Sequence, residues 1–329
     1  MRISVVICTH NPREEYLNRV LQALRGQTLP PDQWELLVVD NASKVPVASS
    51  FDLSWHPQGR MLKEEKLGKM NAWFKGISEA KGEILIFVDD DTVLDAHYLE
   101  KALEVGKEWP FIGAWGGAIS AEFETPPPAW CLIQPWRLTI VEVREEVWSN
   151  LREGFATVPC GAGLCVRREV CQRYLEWCRT HEMSYALDRI GNLVTGYGDI
   201  NLVYCSFDLG MGTGQTTRLH LTHLIPASRL TLDYFLRQAE GDALSLMMFR
   251  ALRGLRLEDP RLSLEQKVKL LLRKAFSKQP PEMLKIYDAH QRGLEKGYRI
   301  AQEYLRSGKK DDAHVEAKQH ETSFPHPVP

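Results

Sequence analysis

The sequence has no excess of charge: 41 Lys and Arg stand against 43 Asp and Glu, a formal net charge of −2. Nucleic-acid coat proteins and general anion binders carry a basic surplus, so no nucleic-acid partner is expected. No apolar run approaches the ~18 residues that a membrane span requires. The first strand-like run, Ile3 to Cys8, stops at Thr9-His10-Asn11-Pro12, too soon for a secretion signal. Cysteine is sparse and odd in number, seven residues without a Cys-x-x-Cys. That argues against a disulfide framework and for a reduced, cytoplasmic protein whose cysteines act as small buried hydrophobes. Neither Gly-x-x-x-x-Gly-Lys-Ser/Thr nor Gly-x-Ser-x-Gly occurs, which removes P-loop and nucleophile-elbow chemistry. Gly210-Met211-Gly212-Thr213-Gly214 does not lead from an apolar strand into a helix, so it is no dinucleotide fingerprint.

The chain of 329 residues, 44% hydrophobic, is long enough to bury a full core. Its first ~120 residues alternate strands and helices. Ile3 to Cys8, Glu35 to Asp40 and Ile84 to Val88 are apolar runs rich in β-branched residues, bounded by turn residues, and read as buried strands. Arg13 to Gln27, Lys69 to Ala80 and Leu94 to Trp109 repeat apolar residues at helical spacing. This order predicts an α/β fold with a mostly parallel sheet flanked by helices. Further on, Phe111 to Ser120 reads as a strand closely approached by another backbone, Val158 to Arg168 as a glycine-broken strand, and Leu219 to Ile225 as a strand. From Thr231 the pattern is helical, over 232–255, 264–276 and 283–305. The expected organisation is a main domain over 1–230 (halves 1–120 and 121–230), a helical extension over 231–307, and a disordered tail over 308–329.

Ligands of an open parallel sheet sit beyond the carboxyl ends of its strands. Three strands end there in polar residues: Thr9-His10-Asn11, Asp40-Asn41 and Asp89-Asp90-Asp91. Three adjacent carboxylates repel unless a cation or water separates them. Strand alternation would let Asp89 and Asp91 converge while Asp90 points elsewhere. Hard oxygen ligands favour Mg²⁺ or Mn²⁺, above all where phosphate oxygens share the ion. A solvated acidic turn is the plainer alternative.

The strand ending in Thr-His-Asn-Pro, the second ending in Val-Asp-Asn-Ala-Ser, Gly68-Lys69 before a helix, and Phe-Val-Asp-Asp-Asp-Thr together resemble the family 2 glycosyltransferases of the GT-A fold. Pro159-Cys160-Gly161-Ala162-Gly163, Gly196-Tyr197-Gly198-Asp199 and the segment from His223 to Thr231 resemble that family's acceptor-side segments. The resemblance implies an inverting transfer from a nucleoside diphosphate sugar, preferably a UDP-sugar, to a hydroxyl of a glycan or lipid-linked acceptor. It implies that Thr9 and Asn11 line the nucleotide pocket, that Asp40 binds the base or ribose, and that Lys69 lies near the nucleotide. Asp89, Asp90 and Asp91 would form the Asp-x-Asp region, with Asp89, Asp91 and His223 holding Mn²⁺ or Mg²⁺. Asp199 would be the base, although the usual Glu before it is Gly198.

Each role has a structural counterpart. Asp199 could cap a helix beginning near Ile200, Lys69 could be a solvated helix-start lysine, and His223 a satisfied core histidine. His220 and His223 are three apart on a strand and face opposite sides, so they do not share an ion. Of the clustered tryptophans, Trp115 and Trp130 are the candidates to stack on sugar; the alternative is core. Two rival functions stay open: a catalytically degenerate nucleotide- or glycan-binding scaffold, and a nucleotidyltransferase. The nine basic residues from Arg250 to Lys278, Arg253 among them, form either a solvated face or a peripheral membrane contact at the inner face of the membrane.

Overall fold

The computed structural model describes residues 1–152, 156–181, 187, 196–261, 263, 265, 269 and 276–307. The first half of the chain forms β1 (Ile3–Thr9), α1 (Glu14–Arg25), β2 (Trp34–Asn41), β3 (Gly59–Glu64), α2 (Lys69–Glu79), β4 (Ile84–Val88), β5 (Thr92–Leu94), α3 (Tyr98–Glu108) and β6 (Ile112–Phe123). Then follow β7 (Val147–Ser149), β8 (Leu164–Arg167), α4 (Arg168–Thr180), α5 (Gly198–Asp208), β9 (Gly212–Ile225), α6 (Leu232–Leu252) and α7 (Pro281–Arg306). The sheet order is β3-β2-β1-β4-β8-β6-β9-β5, with β7 on β9.

Alternation along the central strands decides which helix covers which face. Ile3, Val5 and Ile7 of β1, with Ile84, Ile86 and Val88 of β4, pack under Leu17, Val20 and Leu24 of α1 and Leu99 and Ala102 of α3. Val6, Leu37, Val39, Leu85 and Phe87 face the other way, onto Trp73 of α2, Tyr174 of α4, Leu202 of α5 and Phe249 of α6. Both faces are covered, which is why these strands read as continuous apolar runs.

The architecture is α/β with a C-terminal helical extension, as expected. Its sheet is parallel from β3 to β4, but β8 runs antiparallel to both β4 and β6. Parallel neighbours need a crossover helix. Between β6 and β8 the described residues form no α-helix, only short turns and β7. The expected strand over 158–168 is confined to β8, and the helix expected from Leu94 begins at Tyr98, after the short strand β5. The expected close approach is at Gly117, where a Cβ would stand 2.0 Å from the Leu219 carbonyl oxygen.

After Thr231, whose side chain caps α6 by accepting from the Tyr234 N–H, only helices follow in the described chain. α6 and α7 run parallel: Gly293 lies against Glu240 and Gly297 against Leu244, where a hairpin would reverse that order. A third cluster joins Cys131 and Leu138, Ile225 at the end of β9, Phe235 of α6 and Ile286 of α7. Arg253 leaves the basic face predicted for it. Its side chain is 3% exposed, 4.3 Å over the Trp177 ring, and donates to Asp208 at 2.7 Å and to the Asn201 side chain at 2.7 Å. Arg253→Ala leaves Asp208 without this buried partner; a loss of about 3–5 kcal/mol in denaturant unfolding is expected. Lys267, Arg273, Lys274 and the 308–329 tail lie outside the described residues, as does most of the helix expected over 264–276. The seven cysteines are free. No described helix is long and apolar enough to cross a membrane.

Candidate functional site

The carboxyl ends of β1, β2 and β4 lie side by side, with Thr9 opposite Asp40 in the β1–β2 register. Three loops leave this edge and are tied to one another. The Asn11 backbone N–H donates to Ser43 Oγ at 2.9 Å, and its side-chain carbonyl accepts from the Lys44 N–H at 2.8 Å. Asn11 holds this bridge at φ 49°, a left-handed conformation that asparagine tolerates better than most residues. Asp40 is buried and turned into its own loop, accepting from the N–H groups of Ser43 at 3.0 Å and Val47 at 2.9 Å. Burial acts to raise its carboxyl, but the Ser43 hydroxyl, followed by these backbone donors, outweighs it and holds it below the usual range. Asn11, Pro12, Val45, Val47 and Phe51 line a cavity of about 210 Å³ beside that loop. A larger cavity, about 380 Å³, opens between Arg261 and α7 and is lined by no residue of the strand-end loops.

Asn41, which the sequence reading gave no role, organises the third loop. Its amide donates to the Lys66 carbonyl at 2.8 Å and its carbonyl accepts from the Gly68 N–H at 2.8 Å. Gly68 sits at φ 136°, where a side chain would be strained, and α2 starts on the next residue, Lys69. Lys69 Nζ reaches Asp89 Oδ1 at 2.8 Å.

The three carboxylates do not follow strand alternation. β4 ends at Val88, and residues 89–92 form a turn in which the Thr92 N–H donates to the Asp89 carbonyl at 3.2 Å. The three side chains take different partners. Asp89 meets Lys69, Asp90 accepts from the Thr9 hydroxyl, and Asp91 meets His223 and Arg229. Burial, and then the charge of Asp91, push the Asp90 carboxyl up to about 6. Burial acts the same way on Asp91, but the charge of the Arg229 guanidinium holds it below the usual range.

His223 is buried on β9, opposite Thr92 of β5. Its Nδ1 lies 2.8 Å from the Leu138 carbonyl oxygen, which can only accept, so Nδ1 carries a proton. Its Nε2 lies 2.8 Å from Arg229 Nη1, which can only donate, so Nε2 presents a lone pair. Asp91 Oδ2 is 3.5 Å from that nitrogen and 3.0 Å from Arg229 Nη2. Two of the three expected metal ligands, Asp91 and His223, therefore meet, while Asp89 is engaged elsewhere. Among the described residues no group of three or more His, Cys, Asp or Glu is arranged to hold a metal ion. His220 turns away to Asp95, 3.2 Å distant, as its spacing from His223 requires. Arg229 was not singled out from the sequence. The sign was Pro226, where the chain turns between β9 and the short 3-10 helix Ala227–Leu230 and so returns position 229 to position 223.

Asp199 lies in the first turn of α5, not at its cap, which is Tyr197 at φ 111°. Asp199 Oδ2 accepts from the Gly161 N–H at 2.8 Å and Oδ1 from its neighbour Ile200 at 2.8 Å. A Cβ on Gly161 would stand 2.9 Å from Asp199 Oδ2, so glycine is what permits the approach. A Cβ on Gly198 would stand 3.8 Å from Met70, so α5 begins beside the start of α2, one residue from Lys69. The charges of both Asp199 and Asp89 act on the Cys160 thiol, which burial pushes up to about 12. The strand-end loops and the start of α5 thus share one wall. Trp115 is excluded as a sugar platform because it is fully buried. Trp130 is half-buried, packed edge-on against Phe235 at 5.0 Å.

Residues 4–174 match the model of the family described as "Glycosyl transferase family 2". The chain is similar to "Glycosyltransferase AglE" of Haloferax volcanii, 31% identical over 104 residues, 31% of this chain and 34% of that protein. It is also similar to "Uncharacterized glycosyltransferase YwdF" of Bacillus subtilis, 33% identical over 124 residues, 37% of this chain and 44% of that protein. The aligned stretches thus span well under half the length of these curated relatives. Among solved structures, that of S. aureus TarS residues 1–349 in complex with UDP-GlcNAc matches with a TM-score of 0.48 at 15% identity, over 94% of this chain and 92% of that one.

Proposed function

Because the chain belongs to glycosyl transferase family 2, we propose that it moves a sugar from a nucleoside diphosphate sugar, preferably a UDP-sugar, to a hydroxyl of a glycan or lipid-linked acceptor. The observation that carries this reading is the pair formed by Asp91 Oδ2 and His223 Nε2, 3.5 Å apart with a guanidinium spanning both atoms. A carboxylate and an imidazole lone pair already held by a cation are a donor set for Mn²⁺ or Mg²⁺. Asp91 and His223 would be the residues that hold the ion. A divalent cation held there would supply positive charge to offset that of the departing diphosphate.

The chain's own residues supply the rest. The loops tied by Asn11, Asp40 and Asn41 form the nucleoside end of the site, next to the cavity at Val47 and Phe51. Lys69, at the start of α2, presents an ammonium whose charge favours the leaving diphosphate. Asp199 takes the proton of the acceptor hydroxyl as its oxygen bonds to the anomeric carbon and the bond to the diphosphate oxygen breaks. A single displacement of this kind inverts that carbon.

The scaffold reading has one observation in its favour: both Asp199 oxygens already accept backbone N–H groups. The nucleotidyltransferase alternative loses its ground with the family. Calorimetric titration of UDP and GDP, each with and without Mn²⁺, tests the donor site. Tight binding of UDP only in the presence of Mn²⁺ is expected. Binding of neither nucleotide, or binding indifferent to metal, overturns the reading.

A further inference from the structure

Arg229 has no part in the roles set out for donor and acceptor, yet it makes the closest charged contacts at the Asp91–His223 pair. One planar fork reaches both atoms, Nη2 to Asp91 Oδ2 at 3.0 Å and Nη1 to His223 Nε2 at 2.8 Å. The surroundings are poorly hydrated: the Asp91 side chain is 11% exposed and that of His223 5%. In such a place a carboxylate needs a partner, and the Leu138 carbonyl on Nδ1 fixes the imidazole lone pair at Nε2.

We propose that Arg229 is the resident counter-cation of the donor site: it occupies the Asp91–His223 pair while the site is empty, and a divalent cation binds by displacing it. The inference rests on the metal reading above. The Nε2 lone pair cannot serve a guanidinium and a metal at once, so the two cations compete for one seat. Displacement leaves two positive groups beside one carboxylate. Their repulsion disfavours metal binding alone, and the negative diphosphate of the donor relieves it. The exchange therefore makes metal and nucleoside diphosphate bind cooperatively, and removing Arg229 should weaken that linkage. A residue that merely propped up His223 would act with the opposite sign, since its loss would loosen the metal.

The test is an electron paramagnetic resonance titration of free Mn²⁺ against the whole chain, with and without UDP. It compares wild type, Arg229→Gln, Arg229→Ala, Arg229→Lys and Asp91→Ala, each first checked for folding by thermal melting. Arg229→Gln keeps a donor for Nε2 and removes the charge; Arg229→Lys keeps the charge. Without UDP, Arg229→Gln and Arg229→Ala are expected to bind Mn²⁺ roughly tenfold more tightly than wild type, consistent with removing one like charge at this range. Linkage requires the gain from adding UDP to shrink by the same factor. Arg229→Lys should stay near wild type, and Asp91→Ala should lose the ion. Equal or weaker Mn²⁺ binding in the two neutral variants, with Asp91→Ala still losing it, overturns the exchange and leaves the metal site standing. No Mn²⁺ binding in any variant, or binding unaffected by Asp91→Ala, overturns the metal site and the exchange with it.

Discussion

Asp91→Ala is expected to lower sugar transfer by at least about 1,000-fold, equivalent to about 4 kcal/mol of transition-state stabilisation. The size follows from position. Asp91 is the one acid of its triplet beside the Nε2 lone pair of His223, and its backbone carbonyl also accepts from the Leu224 N–H at 2.8 Å, which fixes the turn against β9. Alanine keeps that backbone bond and deletes only the carboxylate. The fold should survive while Mn²⁺-dependent nucleotide binding disappears. Asp89→Ala should be milder, because it removes a partner of Lys69 and not of His223. Radiolabelled transfer or donor hydrolysis, measured beside calorimetry, separates the two variants. An Asp91→Ala protein with wild-type turnover would show that no metal acts at this place.

Asp199→Asn is expected to lower kcat by about 10²- to 10⁴-fold, the usual contribution of a positioned general base, with nucleotide affinity unchanged. The amide keeps one oxygen for the Gly161 N–H, gives up the acceptor of the Ile200 N–H, and loses the ability to take a proton. The two uses of this side chain, bracing α5 against Gly161 and deprotonating an acceptor, therefore come apart in one variant. Loss of turnover with an unchanged melting temperature assigns the base. A lowered melting temperature with turnover intact assigns the brace and favours the scaffold reading.

The first half of the fold was legible because its strands are buried on both faces. Val5, Val6 and Ile7 need no alternation to be recognised when helices cover both sides. The second half was less so. β8 is four residues long, β7 three, and their pairing depends on β6 and β9, distant in sequence. Such pairing leaves no local pattern. At the candidate site, the polar ends of β1, β2 and β4 marked its place, whereas α5 entered only as the helix that Asp199 could cap, and its cap is Tyr197. The separate partners of Asp89, Asp90 and Asp91 were not legible, because β4 ends at Val88 and strand alternation does not extend over the three residues that follow. Arg229 and Asn41 went unassigned because a turn signal such as Pro226 marks where the chain reverses, not which side chain it brings to a neighbour.

Adjacent carbonyls in the 134–139 loop are read from opposite sides. That of Arg137 accepts from Gln238 of α6 at 2.5 Å, and that of Leu138 accepts from His223 at 2.8 Å. Two successive peptide units thus couple the terminal helices to an imidazole tautomer. Exchanging the helical extension for that of another family member, with the splice at Thr231, would carry the choice of residue 238 with it. A chimaera with no donor at that position frees the peptide next to the one that orients His223. The boundary between the sheet domain and its extension is therefore a poor place to cut, although in sequence it is the plainest.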